Sequence, residues 1–274
     1  IRTPFFTVFL IIFLYGTMSG MIDTHCHLYL CEDNLSTIVD RSLAVGVTRL
    51  INIAIDSHTS QTVIDQAKKY PDIIYPTVGI HPCEASVDTN YERIQQLASS
   101  HPVVAIGEIG LDYYHMKATK AEQLRCFEAQ LSIAETLQLP VVIHNRKADE
   151  DIRDVMKHVP KIKKVLHCFS SSLTFAESVM NEQTFFSFTG NLTYAKKGKM
   201  VNAVRHIPLE KLMIETDCPY LTPISKKGQP NEPSFVPEIG KKIAAIKVLP
   251  EQAVQQQCVK NAVTFFDLPS GLDV

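Results

Sequence analysis

The run Asp23-Thr-His-Cys-His27 holds two histidines one residue apart. Residues two apart on a strand face the same way, so both imidazoles can point into one space. Imidazoles and carboxylates are ligands for divalent ions. Further along stand Glu108 in Ile106-Gly-Glu-Ile-Gly110, His144, His167, and Asp217 in Glu215-Thr-Asp-Cys-Pro219. A single His at a strand end is more often a hydrogen-bonded structural residue, and a lone His-x-His is a weak signal. Six ligand-type residues on five strand ends are different, because a barrel core would put Val, Ile or Leu there. Four imidazoles and two carboxylates suit two ions sharing a bridge. Glu108, between the His25/His27 side and the His144/His167 side, is expected to be that bridge. His25, His27 and Asp217 would complete one ion, His144 and His167 the other. Such ions would acidify a bound water and polarise the target bond. Asp217 could hold that water and take its proton.

That chemistry needs a scaffold that brings distant segments to one rim. From Met21 onward, short apolar runs rich in Val and Ile alternate with amphipathic stretches. The runs 21–25, 49–55, 73–80, 103–107, 140–144, 164–168, 184–189 and 211–216 are predicted strands, apolar almost throughout as strands buried on both faces should be. Predicted helices cover 35–45, 60–69, 91–99, 120–137, 148–158, 173–181, 200–206, 236–246 and 251–266. In the 120–137 stretch, Leu124, Phe127, Leu131, Ala134 and Leu137 recur at helical spacing. Strands alternating with helices through short connections predict an α/β fold, a (β/α)8 TIM barrel, as one domain over 21–274. Barrel enzymes place their chemistry at the C-terminal ends of the strands, where the ligand-type residues fall. The irregular segment 224–233 follows the eighth strand and so belongs on that face.

A chain of 274 residues can bury a large core unaided, and its net charge of −2 gives no global pull toward nucleic acid or anionic membrane. A polyanionic substrate would have to be drawn by a local patch or by metal. Seven cysteines without a C-x-x-C spacing argue against a disulfide scaffold and for a reducing, cytoplasmic setting. Cys26, Cys168 and Cys218, each beside a proposed ligand, read as small apolar packers turned away from the site. Residues 1–20 differ from the rest. The apolar run from Phe5 to Tyr15 is short for a bilayer span of about 20 residues. It reads either as translation begun upstream of Met18 or Met21, or as a signal or anchor, and lies outside the fold. No stable membrane association is expected of 21–274, and a monomer is expected.

Several segments together resemble the TatD family of metal-dependent deoxyribonucleases, within the amidohydrolase barrel superfamily. They are Met21-Ile-Asp-Thr-His-Cys-His-Leu28, Val78-Gly-Ile-His-Pro82, Ala105-Ile-Gly-Glu-Ile-Gly-Leu-Asp-Tyr113, Pro140-Val-Val-Ile-His144, His167-Cys-Phe-Ser170, Thr189-Gly-Asn191, Glu215-Thr-Asp-Cys-Pro-Tyr-Leu221 and Asn231-Glu-Pro233. The helical pattern Gln123-x-x-x-Phe127-x-x-Gln-Leu131 also fits. The resemblance implies phosphodiester hydrolysis, typically exonucleolytic and 3′-5′ on single-stranded DNA, with a Mg-type ion. It carries the metal roles onto the six residues above and a substrate role onto His81. That histidine ends the third strand before Pro82, so it faces the mouth, where a fully or partly protonated imidazole could donate to a phosphate oxygen.

Arg146, two residues past His144, could clamp a phosphate bidentately or pair with a surface carboxylate. Asn231 and Glu232 match the family's rim motif and either touch substrate or brace the loop. Lys226 and Lys227 read as a solvated pair before phosphate contacts, and their segment Ser225-Lys-Lys-Gly-Gln-Pro230, just before Asn231, lacks an Arg that relatives often carry. Asp112 could orient a ligand histidine, and Tyr113 and Tyr114 either pack the rim or stack on bases. Two divalent ions are expected: Mg by resemblance, Zn or Mn by the preference of nitrogen donors. Competing readings on the same metal pair are a small-molecule amidohydrolase or phosphoesterase and a D-aminoacyl-tRNA deacylase, with RNA as a further substrate. A non-catalytic barrel would have lost ligands, and none is missing.

Overall fold

The computed structural model describes residues 20–269. The reading of 1–20 as a leader or upstream translation therefore falls, save for Gly20, outside the described residues. Eight parallel strands are bonded in chain order. They are β1 Met21–Cys26, β2 Val47–Asn52, β3 Ile74–Val78, β4 Ala105–Asp112, β5 Val141–Arg146, β6 Lys164–Leu166, β7 Thr184–Phe188 and β8 Leu212–Ile214. Around them run α1 Leu35–Ala44, α2 Ser57–Lys69, α3 Tyr91–Ser100, α4 Lys120–Leu137, α5 Asp149–His158, α6 Leu173–Val179, α7 Lys199–His206, α8 Val236–Lys247 and α9 Glu251–Phe266. This is the (β/α)8 TIM barrel that the alternation predicts. Among the described residues, no helix is long and apolar enough to cross a membrane.

The strands are apolar because each side meets a different layer. Ile22, Ile51, Val142, Val165, Phe185 and Met213 gather inside the strand ring with Val259, Ala262, Phe265 and Phe266 of α9. These strand residues lie mostly near the strand starts, so the last helix closes that end of the barrel. Burial of each such large side chain contributes about 1.5–3 kcal/mol. Their neighbours Val141, Leu166, Phe186 and Leu212 join the larger core under the outer helices.

Two buried glutamines give α4 a second task. Gln123 accepts from the Asp112 N–H (2.8 Å) and donates to the Asp112 carbonyl (3.0 Å), while Gln130 grips the Ile80 N–H (2.7 Å) and carbonyl (2.9 Å). The helix thereby holds the C-terminal ends of β3 and β4 in place. A capping box, Thr119 with Glu122, fixes where α4 starts.

Strand ends differ from the pattern-based limits for physical reasons. β4 keeps pairing with β5 as far as Asp112 opposite Arg146, so Glu108 and His144 lie within strands instead of closing them. β6 and β8 stop early: Cys168 (φ 46°) and Asp217 (φ 57°) have left-handed backbones that a strand cannot continue. His167 and Asp217 therefore sit just past their strands. Gly110 has φ 135°, and a Cβ there would overlap the His144 carbonyl oxygen. Gly110→Ala should therefore lower stability by about 1–3 kcal/mol or more, read as a lower denaturation midpoint; an unchanged midpoint would show that β5 yields at no cost.

The ring closes between β1 and β8 toward the C-terminal ends of the strands. Thr24 Oγ1 donates to the Ile214 carbonyl (3.0 Å), Asp217 N–H to the His25 carbonyl (2.8 Å), and His27 N–H to the Cys218 carbonyl (2.9 Å). Buried Asp23 accepts from the Thr216 N–H (2.9 Å) and hydroxyl across the same seam.

Candidate metal centre

Two sets of donor atoms meet at Glu108, whose side chain is almost wholly buried. On one side His25 Nε2 and His27 Nε2 lie 3.2 Å apart. Glu108 Oε2 is 3.4 and 3.8 Å from them, and Asp217 Oδ1 is 3.6 and 3.5 Å. On the other side Glu108 Oε1 is 2.7 Å from both His144 Nδ1 and His167 Nε2, and 3.5 Å from His81 Nε2. One carboxylate thus turns one oxygen to each set.

For His27 and His144 the far nitrogen settles which atom carries hydrogen. His27 Nδ1 donates to the Ile53 carbonyl (2.9 Å) and His144 Nε2 to Asp112 Oδ2 (3.1 Å), while His167 Nδ1 is turned to Glu215 Oε1 at 3.4 Å. The inward nitrogens of His27 and His144 are then the ones with lone pairs to offer to a metal, which is how histidines are held to bind one. Two inward imidazole nitrogens facing each other at 3.2 Å beside carboxylate oxygens fit a cation between them. The donor set therefore suits the metal that the chemistry calls for.

Charge supports the same reading. Burial pushes the Glu108 carboxyl up, but the imidazoles of His167, His81 and His144 together hold it well below its usual range. Burial likewise works against Asp217 being charged, and the hydrogen bond from His27 with the charges of His25 and His167 overcomes it. Burial pulls His167 down, yet Glu108 and Glu215 raise it well above the ordinary value. Without metal, protons on His27, His144 and His167, all raised by their carboxylate partners, balance the carboxylates. A bound cation would displace them, so metal affinity falls as pH falls.

His81 precedes the short turn Pro82–Glu84. Burial first of all lowers it to about 3, so it is neutral at pH 7 and not the protonated donor expected from its position. Its Nδ1 accepts from the Cys83 N–H (3.0 Å), which leaves the hydrogen on Nε2, facing the cluster. It remains a donor, without charge. Of the two readings of Asn231, the contacts favour the brace over the substrate role. Its side chain is buried and donates to the Thr216 and Tyr220 carbonyls, so it braces the loop after β8 and does not reach out to a substrate. Glu232 is a brace too, through Arg41 of α1. Arg146 ends β5, exposed, with its guanidinium 5.1 Å from the centre of the Tyr114 ring and outside the donor cluster. Tyr113 packs at the rim, donating to Asp151 (2.6 Å), whereas Tyr114 is exposed. Asp112 orients His144 as anticipated. Cys26 and Cys218 are fully buried, while Cys168 is half-buried beside Thr189.

Two residues with a part in the site carried no role from sequence. Glu215 accepts from the Cys168 N–H (2.7 Å) and faces His167. Asp23 locks the seam, its carboxyl pushed up to about 8 by burial. Both are acids two residues before a proposed ligand, the one sequence signal that could have found them.

Residues 22–267 match the family profile described as TatD related DNase. The uncharacterized metal-dependent hydrolase YabD of Bacillus subtilis is 34% identical over 90% of this chain and 98% of its own. The 3′-5′ ssDNA/RNA exonuclease TatD of Erwinia tasmaniensis is 32% identical over 84% of this chain and 93% of its own. The crystal structure of YjjV, a TatD homolog from Escherichia coli K12, superposes with a TM-score of 0.85 at 28% identity, over 91% of this chain and 98% of that one.

Proposed function

The chain belongs to the TatD family of metal-dependent hydrolases, and on that premise we propose that it is a nuclease that removes nucleotides 3′-5′ from single-stranded DNA. The observation that carries this reading is the Glu108 carboxylate, with one oxygen toward His25 and His27 and the other toward His144 and His167. That division suits two divalent ions about a shared bridge, the arrangement of many phosphodiester hydrolases. His25, His27 and Asp217 would hold one ion and His144 and His167 the other, with Mg, Zn or Mn as the metal. When bound, the ions supply Lewis acidity, which makes water a nucleophile near neutral pH and offsets charge growing on phosphate.

The protein's own groups do the rest. Asp217, held ionised, takes the proton of the attacking water. His81 presents Nε2–H to a phosphate oxygen, and its neutrality spares the mouth a charge that would repel the ions. Arg146 and Tyr114, stacked at the rim, would meet the strand outside the donor cluster, guanidinium to phosphate and ring to base. Exposed Lys196, Lys197 and Lys199 after β7 and Lys227 after β8 supply the local positive charge that a net charge of −2 does not.

His81→Ala should keep the bound-metal count and slow oligonucleotide cleavage about 10- to 100-fold, the worth of one hydrogen bond to a charged oxygen. An unchanged rate would remove its substrate role. The function itself is tested by single-stranded DNA labelled at the 3′ or the 5′ end, mixed with chelated protein reloaded with Mg, Mn or Zn. A metal-dependent ladder shortening from the 3′ end is expected. No cleavage with any metal, despite bound ions, would overturn the nuclease reading in favour of a small ester, an amide or an aminoacyl-tRNA.

A further inference from the structure

Among the described residues, two groups of metal-competent side chains lie outside the donor cluster at Glu108. Asp23, Cys26 and Cys218 form one, but both Asp23 oxygens are taken up by Thr216, with the His25 N–H on one of them, and the group is sealed. The other joins Cys83, Asp112 and His115 at the edge of the mouth. Cys83 Sγ lies 3.9 Å and His115 Nδ1 2.8 Å from Asp112 Oδ2, and all three donor atoms lie within 4.8 Å of one another.

We propose that Cys83 Sγ, Asp112 Oδ2 and His115 Nδ1 form a separate zinc-type cation site on the rim, with a water in the fourth position. Bonds of about 2.0–2.3 Å at tetrahedral angles place ligand atoms roughly 3.3–3.7 Å apart. The present spacings straddle that range. Closing on a cation needs Cys83 Sγ to draw in slightly and His115, whose side chain is more than half exposed, to shift outward.

The other two groups are already held. Asp112 Oδ1 accepts from the Tyr114 (2.9 Å) and His115 (2.7 Å) N–H groups, which aims Oδ2 at the site. Gln123 clamps the Asp112 backbone on both sides. Cys83 is fixed by its N–H on His81. A thiolate, an imidazole and a carboxylate together favour Zn or Co over Mg, whereas the donors about Glu108 include no sulfur. Asp112 Oδ2 also accepts from His144 Nε2. A cation on the rim would share that oxygen, so its presence would be felt at His144 and through it at Glu108.

The site is tested by titrating the chelated full chain with Co²⁺ and following near-ultraviolet absorption. Cobalt bound to a thiolate gives an intense charge-transfer band, which the nitrogen and oxygen donors at Glu108 cannot produce. The band should appear with one equivalent more than the Glu108 cluster takes. Cys83→Ser should abolish it, and His115→Ala, a change at an exposed residue, should weaken its binding at least tenfold. Both variants should still take up the remaining cobalt with its visible bands. Absence of the band, or a band that survives Cys83→Ser, overturns the proposal. Neither outcome depends on cleavage of an oligonucleotide, so this site and the nuclease reading can fail independently.

Discussion

Asp217→Asn should cut turnover of a single-stranded oligonucleotide by about 10²- to 10⁴-fold, the usual worth of a positioned general base. The amide matches the carboxylate in size, and the backbone bond from Asp217 N–H to the His25 carbonyl is untouched, so the seam and the melting curve should hold. What is lost is a negative, proton-accepting oxygen 3.5–3.6 Å from two imidazole nitrogens. Because Asp217 is also expected to hold metal, bound metal is measured on the same sample. Raising the metal concentration should restore occupancy without restoring turnover. Near wild-type turnover at full occupancy would exclude Asp217 as the base.

Glu108→Ala should have the larger structural effect. Five imidazoles, those of His25, His27, His81, His144 and His167, lie within 3.8 Å of its two oxygens. Without the carboxylate, neither set of nitrogens has its shared partner. Elemental analysis should then find at least one of two equivalents missing, with hydrolysis below detection. The metal-free protein should also lose about 3–5 kcal/mol, the cost of stranding a buried charge partner. Two full equivalents in the variant would end the bridging assignment.

Most of the scaffold and the six-residue donor set could be read from residue types. Apolar runs two-sided in their burial are visible as runs, and ligand-type residues stand out where Val or Ile is expected. Details that depend on partners were not legible. The length of β4 is decided by β5, which continues to pair with it through Asp112. The ends of β6 and β8 are decided by left-handed backbones at Cys168 and Asp217, residue types that do not announce such a conformation. Whether the Asn231 amide meets a substrate or the Thr216 carbonyl depends on how the loop after β8 folds back. His81 could be placed at the mouth, but its lack of charge follows from burial that spacing does not encode. The pairing of Glu215 with the Cys168 N–H joins the ends of β6 and β8, which stand on either side of β7, a proximity that only the folded ring reveals.

The seam between β1 and β8 also sets an order of events during synthesis. Thr24 and Ile214, which bond across it, are 190 residues apart in the chain. His25 and His27 leave the ribosome early, whereas Asp217, whose N–H bonds the His25 carbonyl, comes near the end. A growing or truncated chain that stops short of β8 can hold neither the closed ring nor the full set of donors. The full set of donors therefore comes together only with ring closure, so metal binding at the complete cluster is a property of the finished chain and not of its parts.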